Sequence, residues 1–302
     1  MTAVGPDRGR LAVCALFRNE ARYLDEWVRF HHAMGVAHCF LYDNQSDDAP
    51  APVLAPHIDA GLVTLIPWPT PFHQGAQKQA YADGLERTRG RFRWVAFIDL
   101  DEFLFSPTGR SLPDVLRDFA PHPAVVVHWQ CYGSGGHELA GDGPVTARFT
   151  HRAPTRWVRN RKVKSIVDPA RAVEARSVHH FDLLDARQAV DETGRPVAFR
   201  PKSPFKRPLK RWYGRLWGRF GWLLKRLPID PYTGTDIARP GVKAALLRIN
   251  HYPIKSREEF LMKAQLKKEQ RRYEHVDYFA FHDRNEVHDP ILANWQRGAW
   301  RP

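Results

Sequence analysis

The sequence predicts an α/β fold around a mostly parallel sheet, and three observations lead there. Residues 11–48 read as strand, polar edge, helix, strand, polar edge, the βαβ rhythm of a parallel sheet. Residues 93–105 read R-W-V-A-F-I-D-L-D-E-F-L-F, and the apolar run Trp94–Ile98, β-branched and aromatic, suits a strand buried on both faces. The chain has 302 residues, 43 % of them hydrophobic, enough for one large α/β domain or two small ones with a substantial core.

In chain order, residues 1–10 read as a flexible leader and Leu11–Phe17 as the first buried strand, which stops at Arg18-Asn19-Glu20. Asn19 is the expected N-cap of a helix whose Leu24, Trp27, Val28, His31 and Met34 share one face, with Gly35 as its C-terminal stop. Val36–Tyr42 is a second strand, ending in Asp43-Asn44-Gln45-Ser46-Asp47-Asp48. The Pro-rich stretch Pro50–Pro56 reads as a connector, Gly61–Trp68 as a third strand, and Gln74–Arg89 as a helix ending before Gly90. A short helix follows around Leu112–Phe119, then a strand at Ala124–Gln130. That strand runs into the glycine-rich turn Cys131–Glu138, of the sort that lets a backbone approach a ligand closely. Lys162–Val167 and Ser177–Phe181 predict strands of a smaller antiparallel part, and Ala244–Tyr252 resumes the core. Ser256 with Glu259 forms a capping box opening a long helix to about Tyr273. His275, His282 and His288 have no regular spacing and are expected at the surface.

Asp99-Leu100-Asp101-Glu102 puts three carboxylates in four residues at the C-terminal edge of a buried strand, where open α/β sheets bind ligands. Asp99 and Asp101 can both turn toward one cation while Leu100 packs inward. Hard oxygen donors of this kind suit Mg²⁺ or Mn²⁺, which shares its shell with substrate phosphates.

Composition narrows the class. No apolar run approaches the ~20 residues of a membrane span, and the N-terminus lacks the apolar core of a signal peptide. Cys14, Cys39 and Cys131 lack metal-ligand spacing and read as reduced core thiols, so a cytosolic protein is expected. Of the net charge of +13, ten units lie between Phe199 and Ile229, a stretch without a single acid, which leaves +3 for the rest.

That segment, 199–229, groups Trp212, Tyr213, Leu216, Trp217, Phe220, Leu223, Leu224 and Leu227 on one helical arc, opposite Arg211, Arg215, Arg219 and Arg226. Three readings stand: an interfacial helix on an anionic inner-membrane surface through residues 205–227, an amphipathic helix packed on its own domain, and nucleic-acid contact. No nucleic-acid-binding motif accompanies it, which makes the last reading the weakest.

Six ordered blocks resemble glycosyltransferase family 92 and the neighbouring family-2-like group. They are F-R-N-E-A-R-Y-L-D-E-W with H-H-A-M-G-V, L-Y-D-N-Q-S-D-D, W-V-A-F-I-D-L-D-E-F-L-F, W-x-x-Y-G-S-G-G-H, V-K-S-I-V with V-H-H-F, and I-N-H-Y-P-I-K-S-R-E-E-F, spread over about residues 11 to 270. The resemblance implies a Rossmann-like, A-type glycosyltransferase sandwich with the basic amphipathic helical insertion added to it. Its organisation would be a leader at 1–10, a nucleotide-sugar-binding core at 11–198, the insertion at 199–229 and a C-terminal part at 230–302 completing the catalytic domain.

By the same likeness the protein is a metal-dependent glycosyltransferase moving a sugar, from a UDP-sugar by preference, to a glycan or lipid-linked acceptor with inversion. Arg18, Asn19, Glu20 and Asp43 would border the nucleotide, and Asp99 and Asp101 would hold Mn²⁺ or Mg²⁺ against the diphosphate. His251 is the first candidate for a further metal ligand, with His180 the runner-up. Lys164 or Lys255 would help neutralise the leaving diphosphate. Glu138 is the choice for the base that activates the acceptor, with Glu102 and Asp182 behind it. One departure stands out: family members commonly carry an arginine after K-S-I-V, where this chain has Asp168-Pro169.

Two rivals are weighed. A nucleotidyltransferase should show a glycine-rich phosphate loop after the first strand, and F-R-N-E has no glycine. A non-catalytic membrane- or nucleic-acid-binding module has no need for Asp99, Asp101 and Glu102 at one strand end.

Overall fold

The computed structural model describes residues 10–184, 187–199, 238–239, 242–266 and 278–298. The leader up to residue 9, the basic stretch 200–229, the far end of the helix expected to reach Tyr273, and His275 all lie outside the described residues.

Among the described residues the core is an eight-stranded sheet. Its strands are β1 (Leu11–Phe17), β2 (Val36–Asp43), β3 (Val63–Pro67), β4 (Trp94–Phe97), β5 (Glu102–Phe105), β6 (Ala124–Cys131), β8 (Val163–Val167) and β13 (Arg248–His251). They lie in the order β3-β2-β1-β4-β8-β6-β13-β5. The β3-β2-β1-β4 and β6-β13 pairings are parallel, whereas β8 runs against both its neighbours and β5 runs against β13. Three two-stranded ribbons surround the sheet: β7 (His151–Arg152) with β14 (Val287–His288), β9 (Ala172–Ala175) with β10 (Phe181–Leu183), and β11 (Ala198–Phe199) with β12 (Ala238–Arg239).

Strand alternation divides the core in two. Leu11, Val13, Ala15 and Phe17 of β1 face one apolar cluster with Leu24, Trp27, Val28 and Phe30 of helix α1 (Ala21–Ala33) and Leu54 of α2 (Pro50–Asp59). Ala12, Cys14 and Leu16 face the other, with Ala80, Tyr81 and Leu85 of α3 (Ala76–Thr88). Helices on both faces of a mostly parallel sheet make the expected α/β sandwich. Gly84 lets α3 sit close on β1, since a Cβ there would lie 2.8 Å from Cys14 Sγ.

Several local expectations are corrected. Asn19 does not cap α1. It adopts a left-handed backbone (φ 54°), and its side chain accepts from Asp47 N at 2.7 Å, while Asp48 receives the helix's first amide, Ala21 N, at 2.7 Å. The supposed connector at Pro50–Pro56 is α2, because Pro50 sits in the first turn, where its missing N–H costs nothing. Phe103-Leu104-Phe105, just after the acidic run, forms most of β5. Residues 163–167 join the main sheet as β8, and the small antiparallel ribbon forms from 172–175 and 181–183 instead. His282 is buried rather than at the surface, on the short helix α7 (Tyr278–His282). At Gly133 the close approach is to the protein itself, where a Cβ would lie 2.6 Å from Arg284 O. Two further short helices, α4 (Leu112–Arg117) and α5 (Val145–Arg148), precede α6 (Arg257–Leu266), and α8 (Ile291–Gln296) closes the described chain. The capping box is present, with Ser256 N donating to Glu259 Oε2 at 3.1 Å and Glu259 N to Ser256 Oγ at 3.2 Å.

His31 locks α1 to β5 as a neutral imidazole: its Nε2 accepts from Leu104 N at 3.2 Å, so its Nδ1–H donates to Trp27 O at 2.8 Å. Burial pushes His31 down to about 3 and His128, on β6, down to about 4. Both lie below the unfolded value of about 6.5, so the unfolded chain takes up protons first and the folded state loses stability as pH falls from about 6.5 toward 4. Each imidazole should add a slope approaching ~1.4 kcal/mol per pH unit. Urea unfolding at about pH 7 and about pH 5 checks this, and equal stability at the two would refute the neutral, buried assignment.

Candidate active site

The acidic run occupies the turn between β4 and β5, at the edge where the parallel strands end. Glu102 N donates to Asp99 O at 3.0 Å and Asp99 N to Glu102 Oε2 at 3.2 Å, which closes the turn. Tyr252 N donates to Asp101 O at 2.8 Å, tying the turn to the end of β13. Sheet order thus brings His251, distant in sequence, beside the carboxylates. Asp101 Oδ1 lies 3.5 Å from His251 Nε2.

Asp101, Glu102 and His251 place three ligating atoms within 4.8 Å of one another, all on buried residues. The donor set of two carboxylates and an imidazole fits a hard dication of the Mg²⁺ or Mn²⁺ kind, and Glu102 Oε1 is buried without a hydrogen-bond partner among the described residues. Burial lowers the His251 imidazole below its ordinary value, which keeps it neutral and its lone pair available. Burial is the largest influence on Asp101 and would raise it, but Lys263, the His251 contact and Lys255 together outweigh burial and hold the carboxyl well below the usual range. Glu102 goes the other way, because burial outweighs Lys164.

Three lysines converge on the acids. Lys164, from β8 and 1 % exposed, lies 2.9 Å from Asp99 and 3.8 Å from Glu102. Lys263, from α6, lies 2.8 Å from Asp101 Oδ2 and 2.9 Å from Glu20 Oε1. Lys255 Nζ lies 3.8 Å from Glu20 and 4.2 Å from the centre of the Tyr23 ring. Burial lowers the Lys255 ammonium below its ordinary value despite that carboxylate. Lys255 also holds φ at 57°, a left-handed backbone that costs a residue with a side chain ~1–2 kcal/mol. Among the described residues only Asn19, Gln45 and Ala49 share that feature, and they too lie in the loops and helix start at the same sheet edge. Such strain concentrates at functional sites.

The other sequence candidates distribute unevenly. Asp99 faces Gln77 Nε2 at 2.6 Å as well as Lys164, and it is not among the trio around His251. Glu20 is buried and joins the site through Lys263 and Lys255, whereas Arg18 is exposed beside it. Asn19 and Asp43 hold the two strand-edge loops: Asn19 N donates to Ser46 Oγ at 2.9 Å, and Ser46 N to Asp43 Oδ1 at 3.0 Å. Glu138 is exposed, and its backbone oxygen accepts from Glu258 N at 2.9 Å, which seats its loop on the start of α6. His180 lies apart from the trio, 3.1 Å from Ser177 Oγ, and Asp182 pairs with Arg176 at 3.4 Å. Asp168, where an arginine was expected, is held by Arg93 and Arg171 at 2.6 Å each.

The sequence reading missed Lys263 and Gln77. The one available signal for Lys263 was its spacing of four from Glu259 in the capping-box helix, which reads equally as a surface pair.

Comparison with known proteins adds the following. A family model described as glycosyltransferase family 92 matches residues 10–193, so the I-N-H-Y-P-I-K-S-R-E-E-F block lies beyond it. A family 92 protein of Oryza sativa subsp. japonica is 35 % identical over 189 residues, 60 % of this chain and 31 % of that protein. One of Ricinus communis is 33 % identical over 188 residues, 60 % of this chain and 33 % of its own. The chain thus spans about a third of the length of these relatives. Among solved structures, mannosyl-3-phosphoglycerate synthase from Rubrobacter xylanophilus superimposes with a TM-score of 0.32 at 17 % identity, covering 53 % of each chain.

Proposed function

The chain belongs to glycosyltransferase family 92, and from that premise we propose that it transfers a sugar from a nucleotide-sugar donor, a UDP-sugar by preference, to a glycan or lipid-linked acceptor with inversion. The observation that carries this reading is the convergence of Asp101, Glu102 and His251 with Lys164, Lys255 and Lys263 at one sheet edge. Ligating acids beside two buried ammonium groups and a half-buried one suit a ligand that brings both a divalent cation and a diphosphate.

Arg18, Asn19, Glu20 and Asp43 line the strand-edge loops where the nucleotide is read. Asp101 and His251, with Asp99 and Glu102 beside them, would hold Mn²⁺ or Mg²⁺. When bound, that cation acts as a Lewis acid on the leaving diphosphate. Lys255 and Lys164 hold positive charge near the same oxygens, and their preset positions avoid reorganisation as charge develops. Glu138, seated on the start of α6, takes the proton of the acceptor hydroxyl. Residues 11–198 and 230–302 together form the catalytic unit, and the basic insertion at 199–229 contacts an anionic membrane surface through residues 205–227, where the acceptor is presented. No helix among the described residues is long and apolar enough to cross a membrane.

Calorimetry with UDP-, GDP- and CDP-sugars, with and without Mn²⁺, tests the reading. One nucleotide class should bind in a metal-dependent way. Absence of binding by every donor to folded, metal-supplemented protein would overturn it.

A further inference from the structure

Asp101 holds a different partner on each of its two oxygens. One oxygen, Oδ1, faces His251 Nε2 at 3.5 Å within the ligating trio, while Oδ2 accepts from Lys263 Nζ at 2.8 Å. The same ammonium reaches Glu20 Oε1 at 2.9 Å. This is no loose surface pair: Glu20 is 7 % and Asp101 9 % exposed.

The helix that delivers the lysine is fixed at its start. Glu259, in the capping box, accepts two bonds from Arg148 at 3.0 and 2.8 Å and one from Tyr23 at 2.9 Å. Lys263 stands about one turn further along α6, on the same face, and so falls over Asp101. Lys255 also lies 3.8 Å from Glu20. Glu20 therefore keeps a cationic partner if Lys263 turns away.

Resting on the reading of this pocket as the donor site, we propose that Lys263 couples the loading of the divalent cation to the loading of the donor diphosphate. Without donor, Lys263 neutralises Asp101 and Glu20. A dication arriving alone then meets an ammonium on the same carboxylate, in a buried place where salt screens little. Arriving with a diphosphate, it brings Lys263 a new anionic partner, and the ammonium swings from Asp101 to the phosphate oxygens. Each ligand raises the other's affinity, and linkage makes the two factors equal.

The experiment is Mn²⁺ titration of the full chain, followed by loss of the free-ion paramagnetic resonance signal, with and without UDP, GDP or CDP. In the wild-type protein one nucleotide should tighten Mn²⁺ binding by about 10- to 100-fold. Lys263→Gln should bind Mn²⁺ alone about tenfold more tightly and bring the coupling down to about threefold or less. Lys263→Arg keeps the charge and should keep the coupling. Circular dichroism confirms that each variant is folded. Mn²⁺ binding to Lys263→Gln no tighter than to wild type, or coupling lost equally in Lys263→Arg, would overturn the proposal while leaving the donor site intact. If Lys263→Gln does not fold, Lys263→Met takes its place and is read by the same two criteria, tighter binding of Mn²⁺ alone and loss of coupling. Absence of both Mn²⁺ and nucleotide binding in the wild type would instead remove the donor-site reading along with the coupling.

Discussion

Asp101→Asn is expected to lower sugar transfer by about 10²- to 10³-fold, the effect of losing one preorganised electrostatic group at a site of developing charge. Asparagine keeps the shape and one oxygen but not the charge, so the trio with Glu102 and His251 would lose a negative donor for a cation. Lys263 retains Glu20 at 2.9 Å, which limits the cost to folding. Stability should therefore fall by only about 1–3 kcal/mol, the loss of one charged hydrogen-bond partner. The check is turnover with whichever donor calorimetry identifies, alongside Mn²⁺ binding. Transfer within about threefold of wild type would show that Asp101 does not serve the reaction, since that is under ~1 kcal/mol of barrier.

Lys164→Met should produce the largest loss of stability, about 3–5 kcal/mol, because it removes one side of a buried ion pair and leaves the other side charged. Lys164 is 1 % exposed and lies between Asp99 at 2.9 Å and Glu102 at 3.8 Å. Methionine fills much of the volume, so the effect reports charge rather than a cavity. Burial already raises the Glu102 carboxyl, and without the ammonium it should rise further, together with that of Asp99. Urea unfolding near neutral pH measures the loss. A change below about 1 kcal/mol would mean that other groups neutralise the carboxylates.

Much of this architecture is written locally. The apolar runs at Leu11–Phe17, Trp94–Ile98 and Ala124–Gln130 become central strands because nothing else buries them so fully. The Ser256–Glu259 capping box reads directly from the sequence, since its two hydrogen bonds span three residues. Prolines misled at Pro50–Pro56: Pro50 is harmless in a first turn, and the helix carries Pro56 in its interior. Glycine misled at Gly133, where small size accommodates Arg284 and Asn285 rather than a ligand.

By itself the sequence determined the strand-and-helix alternation, the carboxylates at a strand end and the family to which the chain belongs. Periodicity, caps and short motifs depend on neighbours a few residues apart. Tertiary structure decided the rest: that β8 runs antiparallel between β4 and β6 and so delivers Lys164 under Asp99, and that β13 sets His251 beside Asp101. It also decided that Lys263 meets a carboxylate 162 residues earlier in the chain. An all-apolar strand fits several sheet positions equally well, and its neighbours are chosen only when the whole core packs. A lysine on a helix face looks solvated until that face has a neighbour.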